Sequence, residues 1–283
     1  MGPAAALPPA LTRLHLGYFF EDQEECPPQV APLTRLAHLY LETVQCRPII
    51  FAALSHVGSL TALQLNNCRR LPPPEVLRPL TNLRTLAIST YDVSDEARAA
   101  IDAALRALPQ LTTLYLRLSP PLPPAVTALA RLRRFGWVLF RALQFDILPA
   151  GPWLASLRRL ALVGAVPVDR LQALQAATQL EHLGLDRMLP AGAPDVPSEP
   201  ASLLVSSEST RLLQFASHHP TLHQLQLSGY WGLSREELQA TAAGLAAPHL
   251  AVSFVECIAD LLSAAVPDLD EGFLRMYMWP SPL

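Results

Sequence analysis

The chain of 283 residues contains no lysine; all 21 of its basic residues are arginine. With abundant alanine and 28 prolines, this points to GC-rich coding DNA, selection against ubiquitin acceptor sites being the rarer cause. Cysteine is scarce: Cys26, Cys46, Cys68 and Cys257 are scattered and form no paired terminal clusters of the kind that staple extracellular repeat proteins. There is no Asn-x-Ser/Thr sequon. The opening MGPAAALPPALTRLHL has neither a basic start nor a long apolar run, which argues against a secretory signal. Gly2 is followed by Pro3 and by Ala6 where Ser or Thr is wanted, which argues against myristoylation. No stretch of about twenty apolar residues could span a bilayer. These absences favour an intracellular, reducing compartment, taken as cytoplasmic, with cilium or cytoskeleton as further options. A formal charge of −3 gives no reason to expect nucleic acid as a partner.

What the chain has is leucine at an odd spacing. In SLTALQLNNCRRL (Ser59 to Leu71), Leu60, Leu63 and Leu65 step by three and then by two. An amphipathic helix repeats every three or four residues and a half-buried strand every two. The same triplet occurs at Leu11/Leu14/Leu16, Leu36/Leu39/Leu41, Leu83/Leu86/Ile88, Leu111/Leu114/Leu116 and Leu132/Phe135/Trp137. It occurs again at Leu157/Leu160/Leu162, Leu180/Leu183/Leu185 and Leu222/Leu225/Leu227, and a blurred tenth copy starts at Leu250. First leucines follow one another at 25, 24, 23, 28, 21, 25, 23 and 42 residues. A fixed period of twenty-odd residues marks a solenoid.

The physical reading assigns positions three to six of each unit to a short strand. Positions four and six enter the core; positions three and five face outward. One unit cannot bury its own leucines, so stacked neighbours bury them together. Between strands, Ser94–Pro109 reads as a helix capped by Ser94, and Ser234–Glu237 is a capping box opening a helix to about Ala246. Weaker helices are expected near 49–57, 168–177, 210–218 and 256–265. The proline-rich LPPPEVLRPL and SPPLPPAVTAL should be extended or single-turn segments. Met188–Ser209, rich in Pro, Ala and Ser, reads as an inserted loop.

These residues resemble the leucine-rich-repeat family over roughly Leu11 to Leu250. The resemblance implies an α/β fold: a right-handed, curved solenoid with a parallel sheet on its concave face and helices and loops on the convex face. The domain plan is a lead at 1–10, the solenoid of nine to ten repeats at 11–250 with the loop 188–209, and a capping segment at 251–283. In that cap CIADLLSAAV and Phe273, Leu274, Met276, Tyr277 and Trp279 would close over the last strand. The family's Asn or Cys at the turn corner is matched only by Cys68. Its place is otherwise taken by Phe19, Val44, Tyr91, Ser119, Phe140, Ala165, Met188 and Tyr230, so apolar packing must hold that corner. The cadence of Leu71, Leu122, Leu143, Val168 and Leu233 is similar to the cysteine-containing subclass found in ubiquitin-ligase substrate receptors, although no F-box-like segment precedes Leu11. At the start the strand at 13–16 has no cover: a partner covers it, or the chain dimerises there, or the chain is truncated.

Function is then expected on the concave face, as non-catalytic binding of a protein partner over roughly 800 Å². Two patches stand out. Arg133/Arg134 and Arg158/Arg159 recur beside small Gly136 and Ala161 and could grip carboxylates or phosphates; the alternative is a solvated basic rim. His15, Tyr40 and Tyr115 offer aromatic anchors; the alternative is ordinary strand residues. No catalytic residue, metal site or cofactor is expected. His218-His219 reads as a helix-end pair, and Asp268, Asp270 and Glu271 lack the other oxygen ligands of a calcium loop. Substrate recognition for a ubiquitin ligase, regulation of a small GTPase and a structural role in cilium or cytoskeleton are the other readings.

Overall fold

A computed structural model describes residues 7–17, 33–42, 51, 53–68, 71–90, 94–139, 148–164, 168–187, 199–229, 234–244, 248–269 and 274. The chain divides into two compact units. One comprises residues 1–118 with 123–131, the other 119–122 with 132–283.

The first unit carries five parallel strands in chain order: β1 (Arg13–Gly17), β2 (His38–Glu42), β3 (Ala62–Asn66), β4 (Thr85–Ser89) and β5 (Thr113–Arg117). The second carries β6 (Arg134–Val138), β7 (Arg159–Val163), β8 (His182–Arg187), β9 (Gln224–Gly229) and β10 (Ala251–Phe254), again parallel and in order. In each of the nine clear leucine triplets the second and third members sit on one strand and the first lies two residues before it, and the register pairs like with like: Leu39 with Leu63, Leu63 with Leu86, Leu160 with Leu183, Leu183 with Leu225. The inward positions of β2 to β9 are sealed; Leu63, Leu114 and Leu160 are each 0% exposed. A slip of one residue would turn every leucine of a strand to the other face, so burial itself pins the register.

The tenth strand is out of step with its leucine. Ala251 pairs with Gln224 and Val252 with Leu225, so the core positions are Val252 and Phe254, one residue earlier than a count from Leu250 gives.

A backbone ladder runs beside the strands. The carbonyl at position two accepts two N–H groups from the next repeat: Thr61 takes Arg84 and Thr85, Arg84 takes Thr112 and Thr113, Arg133 takes Arg158 and Arg159, and Arg158 takes Glu181 and His182. A side-chain ladder, not anticipated from the sequence, runs next to it. Ser59 Oγ donates to the Leu36 carbonyl at 2.8 Å, Ser156 Oγ to that of Leu132 at 2.8 Å and Thr221 Oγ1 to that of Leu180 at 3.0 Å. Each hydroxyl immediately precedes the first leucine of its repeat and bonds the first leucine of the repeat before. Asn82 Nδ2 and Gln110 Nε2, in the same place, donate to the carbonyls of Gly58 and Leu80. At the corner itself Cys68 is buried, its Sγ 3.7 Å from the Leu41 and Asn66 carbonyls. Ser119 is half-buried, and the other seven corner residues lie outside the described residues.

Connecting segments follow their local chemistry. α1 (Pro74–Leu77) and the 3-10 turn Pro124–Ala128 are the single turns expected of the proline-rich stretches. α2 (Asp95–Arg106) starts at Ser94, whose Oγ accepts the Ala97 N–H at 3.1 Å. α3 is the turn Trp153–Ser156. The segment Val168–Ala176 is 3-10 rather than α-helical. Its buried side chains, Val168, Leu171, Leu174 and then Ala177, fall every third residue, the period at which a 3-10 helix stacks one face. α4 (Glu199–His218) occupies the second half of the stretch read as an inserted loop. α5 (Arg235–Gly244) has the capping box: Glu237 N–H to Ser234 Oγ at 3.2 Å and Ser234 N–H to Glu237 Oε2 at 2.7 Å. α6 (Ile258–Ala265) follows β10. Among the described residues no helix is long and apolar enough to cross a membrane.

Candidate functional site

The face of β6–β9 opposite the leucines is lined by positions three, five and seven of each repeat. At position five stand Gly136, Ala161 and Gly184, in direct register. Strands about 4.8 Å apart place these three small residues in a row roughly 10 Å long, about two turns of an α-helix. A helix lies there. α6 packs across β6, β7, β8 and β9, with Ala259, Leu261, Leu262 and Ala265 buried and Asp260 exposed. A β-carbon at Gly184 would stand 2.9 Å from Leu261 Cγ, closer than side chains approach; only glycine leaves room for that leucine. The segment CIADLLSAAV, expected to close over the last strand, therefore crosses the sheet. Leu274 is buried; Phe273, Met276, Tyr277 and Trp279 lie outside the described residues.

Position three supplies the grip. Arg159 Nη1 donates to the Ala264 carbonyl at 2.8 Å, binding one of the carbonyls that the end of α6 leaves without an intrahelical partner. Arg134 Nη1 donates to Asp268 Oδ2 at 3.2 Å in a half-exposed ion pair. Strand alternation separates these two arginines from their neighbours. Arg133 and Arg158 precede their strands and are exposed, and Arg158 pairs with Glu181 at 3.4 Å. The four guanidinium groups thus do not form one cluster: Arg134 and Arg159 hold the C-terminal segment, and Arg133 and Arg158 lie at the rim.

Next to the helix, β8 and β9 carry a polar row that the sequence reading did not single out. His182 is 5% exposed and its Nε2 lies 2.9 Å from Gln226 Oε1. That oxygen can only accept, so Nε2 carries the proton. Nδ1 is then an acceptor, buried and without a partner among the described residues. Burial, offset in part by the Gln226 bond and reinforced by Arg159, holds the imidazole below its ordinary pKa. Asp186 is 3% exposed; burial raises its carboxyl to about 6 against a hydrogen bond from Ser228, and its Oδ2 has no partner among the described residues. His182 and Asp186 flank Gly184 on the same side of β8, two residues to either side. Their spacing of two from the glycine is the one signal in the sequence that could have placed them.

In the first unit the aromatic patch is differently placed. His15 is exposed, with its ring centroid 4.2 Å from that of Tyr40 and its Nε2 3.4 Å from Glu42 Oε2. Tyr40 is 4% exposed and accepts a bond from Asn66 Nδ2 at 3.1 Å; Tyr115 is fully buried. Of the three, only His15 is presented to solvent in the folded chain.

An open cleft of about 690 Å³ lies between the 3-10 segment and α4, lined by Asp169, Gln172, Arg211, Gln214 and His218 among others. It shares no residue with the α6 trough. His218, at the end of α4, donates from Nδ1 to the Gln214 carbonyl at 2.7 Å, and buried His219 bonds the Leu174 carbonyl through Nε2 at 3.0 Å. Among the described residues no group of three His, Cys, Asp or Glu side chains is placed to hold a metal ion.

No protein-family model matches the chain, and no curated protein matches it.

Proposed function

We propose that the chain is a leucine-rich-repeat solenoid that acts as a non-catalytic recognition scaffold and binds a protein partner on the face opposite the leucines. The observation that carries this reading is the trough itself. Three small residues in register make a floor about two helical turns long, and two arginines stand at its edge with their donors directed at peptide carbonyl and carboxylate. These are the groups a protein segment presents, and the floor holds no nucleophile. Arginine suits the role because its planar fork binds oxygen acceptors with little loss of freedom. Readings as a ligase receptor or a GTPase regulator draw on no particular contact.

The test is affinity capture with mass spectrometry, comparing the intact chain, the Leu261→Glu chain and a chain that adds Arg134→Ala and Arg159→Ala to it. The expected outcome is a discrete protein enriched by Leu261→Glu and lost when both arginines are removed. The same proteins captured by all three chains would overturn the reading.

A further inference from the structure

We infer that the trough over Gly136, Ala161 and Gly184 is a receptor for an amphipathic helix of a protein partner, that α6 is its resident intramolecular ligand, and that the partner binds by displacing α6. This rests on the recognition reading above and adds the class of partner and the means of control. Four observations carry it. First, α6 has eight residues, about two turns, too few to be stable as a helix away from the sheet; its form depends on the trough. Second, among the described residues its side-chain anchors are at its C-terminal end, Arg159 on the Ala264 carbonyl and Arg134 on Asp268. Losing those two contacts frees that end while β10 holds the other. Third, two acceptors flanking Gly184 on β8, His182 Nδ1 and Asp186 Oδ2, are buried and have no donor among the described residues. A ligand that donated to them would outcompete the resident helix. Fourth, strand contacts hold β6–β9 together independently of α6, through the ladder and the leucines beneath.

The trough defines what replaces α6. The incoming helix has one apolar face, with a leucine-sized side chain over Gly184. It ends near Arg159, so that a free carbonyl meets the guanidinium, and it carries an acidic residue about four positions beyond for Arg134. It improves on the resident if it also brings a hydroxyl, amide or ammonium donor to His182 or Asp186. While α6 is tethered, its effective concentration is in the millimolar range or above, and the partner must exceed that competition.

The experiment uses the full chain and a fluorescent synthetic peptide of residues 256–269, ECIADLLSAAVPDL. The peptide is titrated against the wild-type chain, the Leu261→Glu chain and the Leu261→Glu/Gly184→Leu chain. The expected result is binding to Leu261→Glu at least tenfold tighter than to wild type, and none to the double variant. A peptide carrying the same Leu261→Glu change should not bind. Equal binding to wild type and Leu261→Glu, or no binding to a Leu261→Glu chain with wild-type circular dichroism, overturns the inference. Hydrogen exchange on the wild-type chain gives a second measure. Amides of 259–266 should exchange through openings that leave β6–β9 protected; a single common rate for helix and strands overturns the inference, as does a Leu261→Glu chain that cannot fold. Failed peptide binding with arginine-dependent capture intact removes only this inference. Peptide binding that behaves as expected, with capture unchanged by every variant, removes the recognition reading and with it the partner, and leaves α6 only as a displaceable intramolecular cover.

Discussion

Gly184 lies under Leu261 so closely that a β-carbon on the glycine would stand 2.9 Å from Leu261 Cγ and 3.0 Å from Cδ2. Those atoms belong to the core-facing side of α6 and have little room to retreat, because Leu261 is fully buried. Gly184→Leu should therefore lift α6 and leave β8 paired. The expected loss is about 1–3 kcal/mol, typical of an overpacked site. Denaturant unfolding measures it, with faster exchange confined to the amides of 259–266.

The two arginines should differ in weight. Arg159→Ala removes a charged donor from a helix-end carbonyl in a partly buried setting and should cost about 1–2 kcal/mol of docking. Arg134→Ala removes a half-exposed ion pair and should cost about 0–1 kcal/mol, less still at high salt. Thermal unfolding of both variants at low and high ionic strength separates them.

Leu160→Ala should cost about 2–5 kcal/mol, since the side chain is 0% exposed and its neighbours in the ladder cannot collapse into the gap without breaking register. Ser156→Ala, which removes one hydroxyl of the inter-repeat ladder, should cost about 1 kcal/mol. Chemical denaturation distinguishes the two by midpoint; an equal effect would mean that the ladder, not the leucines, carries the repeat.

Stability should depend on pH with two opposed terms. Asp186 titrates at about 6 when folded and near 3.8 otherwise, so folding favours its protonated form. That contribution is complete below about pH 3.8 and is lost as pH rises through about 6; a gap of about two units corresponds to roughly 3 kcal/mol. His182 is shifted the other way, mainly by burial. Its contribution is present above its ordinary pKa of 6.5 and is lost as pH falls below it. Asp186→Asn should raise stability at pH 7.5 relative to wild type, and the difference should shrink towards pH 5. His182→Gln should reduce the loss on acidification below 6.5. Unfolding curves at the two pH values check both signs.

The strands could be read directly. The three-then-two spacing placed all nine clear copies on strands with like positions paired, because leucine burial and register are the same constraint. Two helix starts, Ser94 and Ser234, were legible because capping is local chemistry. The helical residues 199–209 of α4 were not: a Pro- and Ser-rich stretch reads as loop from its composition. The hydroxyl ladder of Ser59, Ser156 and Thr221 escaped notice because it stands one residue outside the repeat motif.

By itself, the sequence determined the repeat, its strands and which side chains face the core. A period of twenty-odd residues and an alternation of two are written within each unit, and burying leucine enforces them. Only the tertiary structure decided what occupies the opposite face. Arg159 meets Ala264 across 105 residues and Arg134 meets Asp268 across 134. No periodicity links such positions. The trough that receives α6 exists only once Gly136, Ala161 and Gly184, each an unremarkable small residue in its own repeat, are brought side by side by the pairing of β6, β7 and β8.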